Sequence, residues 1–512
     1  MEIRQRIVAM VLSGEIASKE DLQRAKINLC RELKVDAVPS NSELLEIVSE
    51  EDFPAVERIL VRKPVRTLSG VAVVAVMTSP APCPHGKCTY CPGGVENNSP
   101  QSYTGKEPAA RRASFNEYDP FRQTSARMEQ LGAIGHGTGK IDLIIMGGTF
   151  TSRPAEYQEE FVRRCFDAMN GKVAETLEEA HLWNEAAPHR CIGMTIETRP
   201  DSFDQAMADH VLALGCTRVE FGVQLLDDDI LASVNRGHGV AEVTAATKIA
   251  KQAGLKVCYH IMPGLPGSSP EKDLESFRLM FEDERFRPDM LKIYPTLVVK
   301  GTKLYESWVE GAYVPYRTGE AAVLVADMKA LMPRYARIQR IQRDIPVDLI
   351  EDGVDKSHLR ELAREILAKD GRRCQCIRCR EVGLMGIRHF EREAVSREVI
   401  AYRSSGGVEY FISDNLADKD GLVGYVRLRI DGNTARIREL KVFGQMAALG
   451  HKGEAQHRGF GKALLEEAER TARSWGCAQC VVTSGVGVRA YYEAQGYRRQ
   501  GPYMAKVLGA QE

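Results

Sequence analysis

Three cysteines fall within nine residues in the run Cys83-Pro84-His85-Gly86-Lys87-Cys88-Thr89-Tyr90-Cys91. Three thiolates at that spacing can hold three irons of a 4Fe–4S cluster and leave the fourth iron open. An open iron can bind S-adenosylmethionine and cleave it reductively. The competing reading is a zinc knuckle, which needs a fourth ligand, and only His85 is local. Further polar groups recur at the ends of apolar runs: Gly147-Gly148-Thr149, Glu197 with Arg199, Gln224, and Tyr294. Paired glycines let a backbone approach a ligand closely, although a tight strand-to-helix turn would use them equally. Taken singly, Glu197, Gln224 and Tyr294 are explained as well by structural hydrogen bonds. Together, at equivalent positions, they point to cofactor binding by Gly147, Gly148, Glu197 and Gln224.

The four-then-two spacing of the cysteines departs from the three-then-two spacing usual in radical S-adenosylmethionine enzymes. The Gly-Gly turn after the second apolar run resembles the loop that meets the methionine end of the cofactor in those enzymes. A second constellation, Gln456-His457-Arg458-Gly459-Phe460-Gly461, precedes a long helical pattern. It resembles the Q/R-x-x-G-x-G/A motif of GCN5-related N-acetyltransferases. Free N–H groups at a helix start, with the positive end of its dipole, suit the pyrophosphate of coenzyme A. In that fold two central strands splay, and pantetheine pairs with the freed edge. Glu439, Leu440 and Lys441 are the candidates for that edge. Tyr491 and Tyr492 stand where a tyrosine meets the thioester, with Tyr492 preferred; core packing of one of them is the alternative. Tyr491, Tyr492 and Glu439 are thus the candidate catalytic groups of the acetyltransferase half.

Cys374, Cys376 and Cys379 form a third group, read as structural zinc, with His358 and His389 as guesses for the missing ligand. Reduced free thiols are the alternative. Cys477 and Cys480 read as structural.

The elements that must position these groups follow from periodicity. Short apolar runs at 71–77, 141–146, 192–197, 218–223, 257–262 and 291–294 read as buried parallel strands. Helical stretches at 155–169, 203–214, 240–253 and 271–282 separate them. Strand–helix repetition of this kind predicts an α/β, TIM-like partial barrel, whose working residues sit at the C-terminal strand ends. Beyond about residue 394 the pattern changes to antiparallel strands at 409–413, 422–430 and 435–442. A long helix at 459–475, a strand at 479–483 and a short helix at 488–495 follow. The expected division is a helical segment over 1–65, a barrel over 66–350, a cysteine-bearing linker over 351–390 and an α+β acetyltransferase domain over 391–512. In the first segment Ser18 is expected to cap a helix reaching Leu33, and Ser40 or Ser42 another.

Bulk properties narrow the setting. A chain of 512 residues exceeds one core, and a formal net charge of −1 gives no global pull toward nucleic acid. No early apolar run has the length of a signal core or a membrane span. A cytoplasmic location follows, where thirteen cysteines point to metal or redox chemistry rather than disulfides.

The runs Cys-Thr-Tyr-Cys-Pro-Gly-Gly (88–94), Gln-Ser-Tyr-Thr-Gly (101–105), Met-Gly-Gly-Thr-Phe (146–150), Ile-Glu-Thr-Arg-Pro-Asp (196–201), Tyr-Pro-Thr-Leu-Val (294–298) and Gln-Arg-Asp-Ile-Pro (342–346) resemble the catalytic subunit of Elongator. The prokaryotic stand-alone form is the nearer match, from about residue 60 to Leu508. The resemblance implies an enzyme that installs a carboxymethyl group at C5 of the wobble uridine of tRNA. Its implied chemistry begins with reductive cleavage of S-adenosylmethionine, which requires a reductant. A hydrogen then leaves the methyl of acetyl-CoA, the carbon adds to uracil, and the thioester is hydrolysed. Carried over by position, Cys83, Cys88 and Cys91 hold the cluster, Lys140 and Tyr294 belong to the active cleft, and Gly459, Phe460 and Gly461 hold coenzyme A with Tyr492 in contact. Eukaryotic members lack the Cys374 group, so zinc there is expected of this branch alone. A chain acting without other subunits, alone or as a homodimer, is implied.

Basic residues suited to a tRNA anticodon stem-loop are Arg62, Lys63, Arg111, Arg112, Arg334, Arg337, Arg340 and Arg343. Solvated or ion-paired arginines are the alternative for about half of them. The competing function is a protein lysine acetyltransferase with a structural iron–sulfur cluster.

Overall fold

A computed structural model describes residues 3–35, 37–49, 51–61, 67, 69–387, 389–443 and 459–509. Arg62, Lys63 and Gln456 lie outside the described residues. The chain opens with four helices, Ile3–Leu12, Lys19–Glu32, Asn41–Leu45 and Phe53–Leu60. They bury Ile7, Leu22, Leu44 and Leu60 in a core of their own. Ser18 caps the second by accepting from the Asp21 N–H, and Ser40 forms a reciprocal capping box with Glu43 at the third.

Seven parallel strands follow: β1 (Ala72–Met77), β2 (Lys140–Met146), β3 (Arg190–Thr198), β4 (Arg218–Gln224), β5 (Lys256–Ile261), β6 (Met290–Ile293) and, after the short β7 (Val298–Val299), β8 (Arg337–Ile341). Their order is β1-β2-β3-β4-β5-β6-β8, with helices between, and the two ends do not pair. This is a partial barrel. β7 forms a separate antiparallel pair with β9 (Ile350–Asp352).

The C-terminal sheet comprises β10 (Val395–Ser404), β11 (Gly407–Leu416), β12 (Gly421–Asp431), β13 (Thr434–Val442), β14 (Gln479–Val482), β15 (Arg498–Gln500) and β16 (Tyr503–Val507). Its neighbours are antiparallel except β13 and β14, which run parallel and pair only over Thr434–Ile437 against Gln479–Val482. β13 continues five residues past that point with β12 on one side and, among the described residues, no strand on the other. The amphipathic helix Phe460–Ser474 packs Leu464, Leu465, Ala468 and Ala472 onto the sheet.

The two sheets share a buried junction. Arg438 of β13 reaches Asp289 just before β6 at 2.6 Å and Glu409 of β11 at 2.8 Å. Arg427 adds a bond to the Tyr335 carbonyl, and Tyr335 stacks on Tyr402 at 4.0 Å. The loop after β14 seats its glycines on β3: a Cβ on Gly485 would stand 2.2 Å from the Ile192 carbonyl oxygen. Among the described residues, no helix is long and apolar enough to cross a membrane.

Candidate active site

The cysteine loop leaves β1 at the C-terminal end of the barrel. Cys88 and Cys91 are buried, and Cys83 is half-buried. Hydrogen-bond donors surround the sulfurs. The Gln101 amide and the Ser102 N–H reach Cys91 at 3.0 and 3.2 Å, and Arg236 reaches Cys88 at 3.7 Å. His85 Nε2 stands 3.2 Å from Cys88, and Thr149 Oγ1 stands 3.5 Å from Cys83. Hydrogen bonds to ligand sulfurs are one of the means by which a protein tunes an iron–sulfur cluster. Among the described residues these three are not among the groups whose ligand atoms fall within 4.8 Å of one another, whereas Cys374, Cys376 and Cys379 are. The wider spread fits a multi-iron cluster better than a single ion, and so favours the cluster over the knuckle. Burial, with Arg199 and Arg236 nearby, pushes the His85 imidazole down to about 4.

Cys83 opens into a cavity at the strand ends, lined also by Gly148, Glu197, Gln224, Lys292 and Tyr294. The glycine turn is needed there. Gly147 has φ +127°, and a Cβ on it would stand 2.1 Å from Thr78 Oγ1; one on Gly148 would stand 3.2 Å from Gln101. Glu197 accepts from the Tyr103 hydroxyl at 2.6 Å and from Lys292 at 3.4 Å. Gln224 sits at φ +70° beside a bulge in β4, with its Oε1 buried and unpartnered. Backbone strain of this kind gathers at working sites.

Sequence reasoning overlooked Glu220, His260 and Lys292, which form the cavity floor. Their signal was charged or polar residues alternating with apolar ones in short strands: Arg218, Glu220 and Gln224 on β4, Lys256, Cys258 and His260 on β5, and Lys292 on β6. Lys140 stands elsewhere. It opens β2 at the opposite end of the barrel, outside the cavity lining, because a parallel strand puts its first and last residues at opposite mouths.

In the C-terminal domain Gly459 takes φ +83° as the N-cap, with no side chain capping the helix start. Phe460 turns inward against Phe390 at 6.4 Å. A Cβ on Gly461 would stand 3.1 Å from the Tyr491 hydroxyl, which places Tyr491, exposed, at the helix start. Tyr492 is buried in the domain core, 5.8 Å from the Tyr497 ring. Glu439, Leu440 and Lys441 lie on the stretch of β13 that pairs with β12 but has run past β14. Arg427 bonds Glu439 at 3.0 Å; despite burial, Lys256 and Arg427 hold its carboxyl down to about 2.

The arginine series divides. Arg334 grips Asp420 and Glu398 at 2.7 and 3.0 Å, and Arg337 pairs with Glu381 at 2.9 Å. Both brace the junction between the sheets. Arg340 and Arg343 line the cavity instead, paired with Asp344 and the Ser102 carbonyl. A three-residue period does not keep one face along a strand, so no single basic stripe forms. Arg111 is exposed and Arg112 half-buried on the helix Pro108–Phe115, at whose start Glu107 and Ala109 line the cavity. Neither His358 nor His389 joins the Cys374 group.

Four family models match: the ELP3 N-terminal domain over residues 1–68, the Radical SAM superfamily over 80–280, the Radical_SAM C-terminal domain over 288–369, and the Acetyltransferase (GNAT) family over 386–497. The chain is 48% identical to the tRNA uridine(34) acetyltransferase of Methanocaldococcus jannaschii, over 99% of its own length and 97% of that protein. It is 42% identical to human Elongator complex protein 3, over 98% and 96%. The solved archaeal Methanocaldococcus infernus Elp3, with residues 1–46 deleted, matches at 45% identity with a TM-score of 0.77, over 86% of this chain and all of that one. The donor-ringed cysteine loop at one end of an open barrel, and the splayed strand pair packed on it, are therefore those of a radical SAM enzyme with a GNAT domain, and the chain belongs to the Elongator complex protein 3 family.

Proposed function

We propose that this chain modifies tRNA at the wobble uridine, installing a carboxymethyl group at C5 with carbon taken from acetyl-CoA. The observation that carries the reading is the cavity at the C-terminal strand ends, into which Cys83 and the polar groups Glu197, Gln224 and Lys292 converge, on a chain that also bears the splayed strand pair of an acetyltransferase. When bound, the cluster and S-adenosylmethionine supply a carbon radical. The chain's residues position what it attacks. The Gly147-Gly148 turn gives close backbone approach to the cofactor. Tyr103 and Lys292 hold the Glu197 carboxylate, and Tyr294, Arg340 and Arg343 form the polar wall against which an extruded base would lie. Arg111, on the neighbouring helix, faces solvent where tRNA phosphates would pass.

The similarity to tRNA uridine(34) acetyltransferases supports the substrate. The lysine acetyltransferase reading is disfavoured because the chain's relatives over nearly its full length include tRNA uridine(34) acetyltransferases and it carries the radical SAM domain besides the acetyltransferase one. The reading includes structural zinc on Cys374, Cys376 and Cys379, a cytoplasmic setting, and action without other subunits.

The test is anaerobic reconstitution with tRNA, acetyl-CoA, S-adenosylmethionine and reductant. Carboxymethyluridine should appear by nucleoside mass spectrometry, and Cys88→Ala should abolish it while leaving acetyl-CoA binding intact. An intact cluster and bound acetyl-CoA with no modified nucleoside would refute the reading. Metal analysis of Cys88→Ala should still find one zinc per chain.

A further inference from the structure

The inner face of the barrel is charged through its depth, where closed barrels of this kind are filled by branched apolar side chains. Arg218 donates to Asp142 of β2 at 3.2 Å. Glu220 is paired with His260 at 2.8 Å and with Lys292, which reaches on to Glu197. The upper members of this column line the cavity; Arg218 and Asp142 lie below it. The middle of the column has unused polar capacity. Arg218 Nε and Glu220 Oε1 stand 3.4 Å apart without a hydrogen bond, and Thr195 Oγ1 is buried with no partner.

The lower end of the column meets the splayed edge of β13. Arg438 of β13 donates to the Leu255 carbonyl, one residue before β5, at 2.9 Å, and across the same junction Lys256 lowers the Glu439 carboxyl while Asp142 raises Lys441. Gly485 and Gly487 fix that end against β3. From Arg218 to Gly222 the strand climbs about 13 Å, so a thioester held on β13 is well short of the cavity.

We propose that the barrel interior is the passage between the two sites, entered from below by the acyl end of acetyl-CoA, with the Asp142–Arg218 pair as its gate. This rests on the assignment of acetyl-CoA to the C-terminal domain. An ion-pair gate has a physical advantage over an apolar plug here. When the pair parts, Arg218 has Glu220 as a second carboxylate and Asp142 has Lys256 and Lys441 nearby, so no charge is left uncompensated in the interior.

Cys258 provides a built-in reporter, since its thiol faces the column beside Glu220 and His260. Bromoacetyl-CoA carries an electrophile at the acyl position. Burial pushes the Cys258 thiol well above its ordinary value, so its sulfur would attack the bromomethyl carbon as its proton passes to the adjacent His260, forming a C–S bond as bromide leaves. The full-length protein should acquire a coenzyme A adduct on Cys258 by peptide mass mapping, suppressed by excess acetyl-CoA. Gly193 borders the gate: a Cβ there would lie 3.5 Å from Asp142 Oδ1 and 3.4 Å from Thr217 Oγ1, so Gly193→Ala fits while Gly193→Leu fills the gap. Labelling should persist in Gly193→Ala and fall about tenfold or more in Gly193→Leu, as expected when a guided approach is lost. Thr195→Leu should act likewise, and unchanged affinity for coenzyme A in each variant shows that the fold is kept. Equal labelling in both leucine variants, or labelling that excess acetyl-CoA does not suppress, overturns the passage. Failure of bromoacetyl-CoA to bind overturns it too, together with the acetyl-CoA assignment. Because cluster, S-adenosylmethionine and tRNA take no part, failure of the wobble reaction leaves this result standing.

Discussion

His181 stacks edge-on against Phe166 at 4.6 Å, beside the junction helix that carries Arg489. Burial first, and Arg489 and Arg499 next, push its imidazole from 6.5 down to about 3. A base whose folded value is depressed stays neutral in the fold but takes a proton when unfolded. Its contribution is therefore fully present above pH 6.5 and is lost as the pH falls toward 3, at a limiting slope of about 1.4 kcal/mol per unit. Thermal melts between pH 7 and pH 4 should show falling stability, and His181→Phe should flatten that dependence. An unchanged slope in the variant would contradict the assignment. At the same scale, Glu439 shows why a residue type does not settle a role: its carboxylate is available, but it is held by Arg427.

At the scale of the element, the turn after β2 is the most constrained piece of the site. Gly147 combines a φ that other residues rarely adopt with a Cβ position only 2.1 Å from Thr78 Oγ1. Gly147→Ala should cost about 2–4 kcal/mol in denaturant unfolding, from backbone strain and the clash together. Gly171→Ala, where φ is +70° and the space is open, is the control that carries strain alone and should cost less. The strands that sequence reasoning overlooked, β8, β10 and the β15–β16 pair, are edge strands or lie next to one. Edge strands carry charge and half-exposed faces, as in Arg337-Ile338-Gln339-Arg340-Ile341, and so lack the apolar run that marked the central strands.

At the scale of the whole molecule, the two sheets are joined by charge as much as by packing. Arg438, fully buried, holds Asp289 from the barrel and Glu409 from the C-terminal sheet. Arg438→Met should destabilise the protein by about 3 kcal/mol, the lower end for a broken buried pair, because Arg427 and Arg429 still face those carboxylates. The melting transition should split into two if this cluster is what makes the domains unfold together. A single transition at the wild-type temperature would show that the cluster contributes nothing to the coupling.

What the sequence determined by itself was local chemistry. The spacing of Cys83, Cys88 and Cys91, the Gly147-Gly148 turn, the Ser18 and Ser40 caps and the glycines at the start of the Phe460 helix all act within one turn of chain, where covalent geometry limits the choices. The strand–helix alternation was legible for the same reason, since each central strand keeps an apolar face toward the helices and each helix an apolar stripe toward the strands. Only the tertiary structure decided which distant groups meet. It put Arg334 and Arg337 into ion pairs and Arg340 into the cavity, sent Lys140 to the far mouth of the barrel, and buried Tyr492 while leaving Tyr491 exposed. Each of those outcomes depends on strand register, bulges and the seating of one sheet on another, which are long-range packing choices that no single segment encodes.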